Sequence, residues 1–227
     1  MKKIKIHAEI AYIIGILMTA FGNALLTHAN FGLSMVIAPS YIIHARLSQH
    51  LPFYSFGMSN YIFQALIILL TAAVMRKFKI SYLLSFLTAF LFGLSLDALL
   101  IPTSFIPLEL MAVRITIMIC GMLCVAIGIA LLFNTYLPPE SYELFIKELS
   151  TKTGIGVGRL KTAYDLSSLI LSVILSFILF GFMHFEGMGI GTVVSALLNG
   201  TLIGTAAKLF RKYFVFPDLL PLRKFIN

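Results

Sequence analysis

The chain has 227 residues, of which 59% are hydrophobic and 11% charged, with a formal net charge of +8. A soluble domain carries about 25% charged residues, so too little polar surface exists here to cover a water-soluble fold, and the mean hydropathy of +0.99 points to a chain embedded in lipid. Strand-type alternation is absent, which argues against an outer-membrane barrel, and Lys and Arg fall in short loops, where they set membrane orientation rather than bind nucleic acid.

The chain opens with Met1-Lys2-Lys3-Ile4-Lys5 and an apolar run, the form of a signal peptide. The run belongs to an internal repeat, however, and is expected to remain as the first of six membrane crossings. Residues 15–26, GILMTAFGNALL, match residues 121–132, GMLCVAIGIALL, without gaps. Gly15 and Gly22 fall on Gly121 and Gly128, and Leu17, Ala20, Ala24, Leu25 and Leu26 on Leu123, Ala126, Ala130, Leu131 and Leu132. Two glycines seven residues apart lie on one helix face, where small residues let membrane helices approach closely.

After the first crossing, Phe31 to Ser48 is apolar but interrupted by Gly32 and Pro39, which predicts a short re-entrant or interfacial helix. Ser34 stands at its start, where free backbone N–H groups favour an anion and where a helix cap is the plainer reading. Asn23, His28, Asn30 and His44 border this segment. A second crossing over 57–75 places Asn60 and Gln64 four residues apart, on one helix face. A third over 80–101 carries Asp97 near its outer end; a fourth over 110–133 carries Arg114 near its outer start. A hairpin between them brings the two to similar depth, so an Asp97–Arg114 ion pair is expected, as a staple or as a gating charge. Cys120 and Cys124, one turn apart in the fourth crossing, read as packing residues.

The second half repeats the plan. Pro138-Pro139-Glu140-Ser141 opens a short helix too charged to span, with Tyr142, Phe145, Ile146 and Leu149 on one face and Glu143 and Lys147 spaced to pair. Glu140 and Glu143 are expected at a cytoplasmic entrance or simply in water. The fifth crossing, 161–183, opens with Lys161 and Asp165, which match Asn60 and Gln64 in the first half, since Phe56-Gly57 and Val157-Gly158 precede them. The sixth, 188–207, holds Asn199 beside Gly200 and Gly204, read as a packing motif with Asn199 as interhelical glue.

Three crossings per repeat invert the second repeat relative to the first. The expected architecture is an all-α integral membrane protein with about six transmembrane helices in two inverted three-helix repeats, each with a short re-entrant or interfacial helix. The repeats occupy 1–105 and 106–212, and 213–227 forms a cytoplasmic tail. With the N-terminus inside, 15 basic residues are cytoplasmic and only Arg46 and Arg114 lie outside. An eight-crossing arrangement gives 14 against 3, so the charged short segment, not the tally, favours six.

Inverted repeats, broken helices and polar groups converging on the midplane are the plan of a secondary transporter. The expected site lies between the repeats, with Asp165 as its leading ionisable residue, then Gln64, Asn60 and Lys161, and with Asp97, Arg114 and Ser34 as further binding candidates. The alternative is a substrate-binding membrane subunit of an energy-coupling importer. No Walker loop, Gly-x-Ser-x-Gly or His-Glu-x-x-His is present, so an enzyme, a metal site and a cofactor are not expected. The expected partners are the bilayer, an unidentified small molecule, and a second copy or partner subunit.

The segments ALLTHANFGLSMVIAP, LPPESYELFIKELS, GVGRLKTAYDLSSLILS and GMGIGTVVSALLNGTLIG resemble the YitT/YczE group of bacterial membrane proteins over nearly the whole chain. The resemblance implies a multi-pass protein of the bacterial inner membrane with no established catalytic or binding residues to carry over.

Overall fold

A computed structural model of the chain describes residues 3–32, 34–54, 56–182, 185 and 187–221. Lys2, Arg223 and Lys224 of the charge tally, the end of the fifth expected span at 183, and the last part of the expected tail lie outside the described residues.

Eight helices form among the described residues: α1 (Ala8–Ala29), α2 (Ala38–Leu47), α3 (Phe56–Met75), α4 (Ile80–Thr103), α5 (Met111–Asn134), α6 (Ser141–Thr153), α7 (Val157–Phe180) and α8 (Ile190–Tyr213). Six of them, all but α2 and α6, are long and apolar enough to cross a membrane. Two ends differ from expectation by a helical turn or more. α7 starts at Val157 rather than 161, and α8 runs to Tyr213 rather than 207. Arg159, Lys208, Arg211 and Lys212 read as loop in the sequence, but long basic side chains let a helix continue past the hydrocarbon edge.

Short strands β1 (Ile4–Lys5) and β2 (Phe214–Val215) pair in parallel, which brings the first and last described segments to one face of the bundle, the terminal face. Glu9, in the first turn of α1, accepts hydrogen bonds from Tyr136 Oη at 2.6 Å and from the backbone of Leu219 and Leu220. The tail is thereby tied to the first helix.

The inversion is visible in the glycines. A Cβ placed on Gly22 would lie 2.6 Å from the Gly121 carbonyl oxygen, and one on Gly121 would lie 2.9 Å from that of Gly22. Gly15 and Gly128 oppose each other in the same way, at 3.1 and 2.7 Å. The contacting pairs therefore cross the alignment: the first glycine of each helix meets the second of the other. Equivalent helices are antiparallel about a two-fold axis, as inverted repeats require. The remaining contacts follow that axis. α1 packs on α4 as α5 packs on α8, and α2 packs on α7 as α6 packs on α3.

The two short helices are re-entrant rather than interfacial. Met35 and Val36, leading into α2, pack in one cluster with Ile67 of α3, Tyr142 of α6 and Ala196 of α8. Ser141, Tyr142, Glu143 and Leu144 are all buried, so the first turn of α6 has no water-facing side. The extended Pro138-Pro139 carbonyls accept hydrogen bonds from Thr88 and Ser85 of α4, which carry the chain about 8–12 Å into the bundle at 1.5 Å per residue. α6 then returns to the terminal face, where Lys79 meets Glu148 at 2.9 Å and Lys152 reaches the Val74 carbonyl. The N-terminal ends of both half-helices thus point at the middle of the bundle.

Candidate functional site

The start of α6 and the first three turns of α7 bring four ionisable side chains together. Lys161 stands about 6 Å, and Asp165 about 12 Å, along α7 from its start. The Lys161 ammonium lies 3.0 Å from Asp165 Oδ1 and 3.2 Å from Glu143 Oε1, over the rings of Tyr142 and Tyr164. Glu140 accepts from Tyr142 Oη at 2.6 Å. Lys161, Asp165, Glu143 and Glu140 are 1%, 0%, 2% and 3% exposed. Burial of an unpaired charge is costly, so such groups persist in a membrane only when paired or functional. One ammonium faces three carboxylates, and Glu143 Oε2 and Asp165 Oδ2 have no hydrogen-bond partner among the described residues.

A cavity of about 300 Å³ adjoins this cluster. Glu143 and Lys161 form its floor, Asn60 and Tyr61 of α3 and Gly93 and Asp97 of α4 its mouth, and Thr19, Asn23 and Thr27 of α1 one wall. It occupies the half of the bundle away from the terminal face. Asn60 and Lys161, equivalent positions of the two repeats, both line it, as does Ser34. Their dyad neighbours Gln64 and Asp165 are fully buried one turn deeper and do not line it. Asp165 therefore reaches the cavity through Lys161. Both polar atoms of the Gln64 amide are without a partner among the described residues.

Two expected pairings do not form. Asp97 is exposed at the cavity mouth, while Arg114 donates to the carbonyls of Ala29 and Asn30 at 3.1 and 3.0 Å and covers the Phe31 ring. Arg114 closes the C-terminal end of α1, whose last carbonyls are free acceptors, and that competes successfully with the carboxylate. Glu143 pairs with Lys161, and Lys147 instead donates to the Thr135 carbonyl at 2.7 Å. The reason is the same in both cases: a tertiary partner at the right depth displaces the local one.

Sequence reasoning placed Glu143 and Glu140 at a cytoplasmic entrance or in water, and the structure buries both. A signal existed, since the Pro-Pro start and an acid in the first turn mark the helix end whose partial positive charge attracts carboxylates. Asn199, read as glue, lines the cavity with Oδ1 unpartnered among the described residues. His28 bonds the Ile106 carbonyl at 2.8 Å, and Cys120 and Cys124 are free thiols.

The seams between the last two helices of each repeat differ. On the α7/α8 side, a Cβ on Gly158 would lie 2.6 Å from the Gly200 carbonyl and 3.1 Å from Gly204 Cα. On the α3/α4 side, a Cβ on Gly93, the equivalent of Gly200, would find only Tyr61 Oη among the described residues, at 3.7 Å. One seam is sealed backbone to backbone, and the cavity opens through the other.

Across residues 6–208 the sequence matches a family model. The chain belongs to DUF6198, a family of unknown function. No curated protein and no solved structure matches it. For a DUF6198 chain of multi-pass membrane form, the burden of a functional reading therefore falls on the cavity and its charged floor.

Proposed function

We propose that this protein is a secondary transporter of a small molecule, held between inverted repeats in a bacterial inner membrane with both termini cytoplasmic. The observation that carries the reading is the unequal pair of seams. Two halves related by a dyad have one open and one closed interface around a shared cavity. Exchanging the two states, so that α3 closes on α4 at Gly93 and α7 parts from α8 at Gly158, turns the cavity's mouth to the terminal face with the same kinds of internal contact. The Lys161–Glu143–Asp165 cluster is the gate on that side. Lys3, Lys5, Arg76, Lys77, Lys79 and Lys152 at the terminal face support its assignment as cytoplasmic. The resemblance of segments such as LPPESYELFIKELS to the YitT/YczE group supports the bacterial inner-membrane part of this reading. Nothing enzymatic is part of the reading.

Spin-label distance measurements in nanodiscs test it. One label pair, on Met58 and Leu94, reports the α3/α4 seam; a second, on Arg159 and Lys208, reports the α7/α8 seam. A transporter gives two populations at each seam, and conditions that lengthen one distance shorten the other. Single, fixed distances at both seams, across pH and ligand panels, refute alternation. Fixed seams together with a copurifying ATPase favour the binding subunit of an energy-coupling importer.

A further inference from the structure

The cavity has an apolar, aromatic wall and an acidic floor, and the buried atoms of its lining that have no partner among the described residues are acceptors. Phe56, Tyr61, Phe92 and Tyr142 supply ring faces. Glu143 Oε2 and Asn199 Oδ1 are buried acceptors without a partner among the described residues, and both residues line the cavity. Asp97 adds a carboxylate at the mouth.

The local positive charges are already engaged. Lys161 is held by two carboxylates. The N-terminal end of α6 carries about half a positive charge, and its own Glu140 and Glu143 sit on it. Only the similar half charge at the start of α2 remains. Against these stand Glu140, Glu143 and Asp165, so the ionised floor keeps a net negative charge before Asp97 is counted. An anion would meet that net negative charge, whereas the neutral hydroxyls and amides of the lining, Thr27, Asn60 and Tyr61, can serve a ligand of either sign. A donor-bearing cation would satisfy Glu143 and Asn199 and lay its body against the rings, where cations are attracted to aromatic faces.

We propose that the site takes a small organic cation, an ammonium group on an apolar or aromatic body, and exchanges it for a proton. The exchange step rests on the transport reading; the ligand class does not. The negative floor is neutralised either by a proton on a carboxyl or by the ligand's ammonium. Binding of one cation therefore releases one proton from the floor, and return of the proton releases the cation. The titratable and charged groups around Glu143 are Glu140 and Tyr142 on α6 and Lys161, Tyr164 and Asp165 on α7. Tyr12 of α1 faces Glu140, α3 contributes Tyr61 across the cavity, and α4 contributes Asp97 there and Tyr82 toward the terminal face. Among these groups, the carboxyls on the floor are the ones that exchange.

The test uses the purified full chain with four probes of one shape: phenethylamine, phenylalanine, hydrocinnamate and phenylethanol. Titration calorimetry and a pH dye report affinity and proton release at pH 6, 7 and 8. Phenethylamine is expected to bind best, to release a proton, and to tighten by up to about tenfold per pH unit while the floor is protonated. Glu143→Gln should abolish both the binding and its pH dependence. Asp97→Asn, at the exposed mouth where folding is insensitive, should weaken the amine severalfold and leave phenylethanol unaffected, and Glu109→Gln, exposed and away from the cavity, should change nothing. Tighter binding of any other probe, or failure of phenethylamine, putrescine and tetraethylammonium all to bind, overturns the ligand class. Amine binding with proton release but no uptake into proteoliposomes leaves the class standing and refutes transport. Uptake of hydrocinnamate refutes the class and leaves transport standing.

Discussion

Replacing Lys161 with glutamine removes the one ammonium from a floor of three buried carboxylates. Its two contacts, at 3.0 and 3.2 Å, are each worth about 5 kcal/mol at an effective dielectric of about 20. Desolvation of the lysine, several kcal/mol per buried ion, offsets much of that in the native protein. The variant keeps the desolvation of Glu143 and Asp165 and loses what compensated it. The expected loss is about 3–5 kcal/mol, the cost of leaving a buried charge unpaired, less whatever the carboxyls recover by binding protons. The triple variant Lys161→Met, Glu143→Gln, Asp165→Asn has no charge left to compensate among these three and should regain most of the stability. The chain contains no tryptophan, so the melts are followed by far-ultraviolet circular dichroism in detergent. The expectation is a Lys161→Gln midpoint well below the parent at neutral pH, a smaller gap in acid where protons replace the ammonium, and a triple variant near the parent. A Lys161→Gln melt equal to the parent, or a triple variant no better than the single, would refute the pairing.

Arg114→Ala should cost about 1.5–3 kcal/mol by removing charged donors from the Ala29 and Asn30 carbonyls, and the cost should be the same in an Asp97→Asn background; a double-mutant cycle in thermal melts checks this, and a coupling above about 1 kcal/mol would restore the ion pair. Gly22→Ala should destabilise by about 1–3 kcal/mol, because its Cβ meets the Gly121 carbonyl and overpacking carries that cost, whereas Gly93→Ala should be nearly neutral; equal effects in the same melts would contradict the open seam. Glu9→Ala should free the tail, so that limited chymotrypsin digestion cleaves at Phe216 faster than in the parent, with mass spectrometry locating the cut.

Some of this was legible in the chain. The six apolar runs, the aligned glycines and the charged segment at 138–149 follow from hydropathy, spacing and composition, which are local properties. The convergence of Asn60 and Lys161 on one cavity followed from the repeat, since a dyad fixes where equivalent positions meet. The partners of the ionisable groups were not legible. Glu143 has Lys147 one turn away and Lys161 eighteen residues away, and the distant lysine takes it because the first turn of α6 is packed against α7 deep in the bundle. Arg114 likewise has a carboxylate across its own hairpin but finds the end of α1 closer at hand. The difference between the seams was also hidden: both repeats carry the glycines, and only tertiary packing shows which pair is engaged.

The crossed glycine contacts bear on how such a bundle can arise and insert. Because the first glycine of α1 meets the second of α5 and the converse, the surface on each half is complementary to the same surface on an upside-down copy. A half of this kind, inserted in both orientations, would assemble the whole from one short chain. In the joined chain the orientations are fixed, and each half carries its own address. With the terminal face cytoplasmic, as proposed, Lys3, Lys5, Arg76, Lys77 and Lys79 would hold the first half one way up, and Lys152, Arg159, Lys208, Arg211 and Lys212 would hold the second the other way up relative to its own fold. Severing the link between Thr103 and Met111 would then leave two fragments that insert in opposite senses and rejoin through Gly15, Gly22, Gly121 and Gly128.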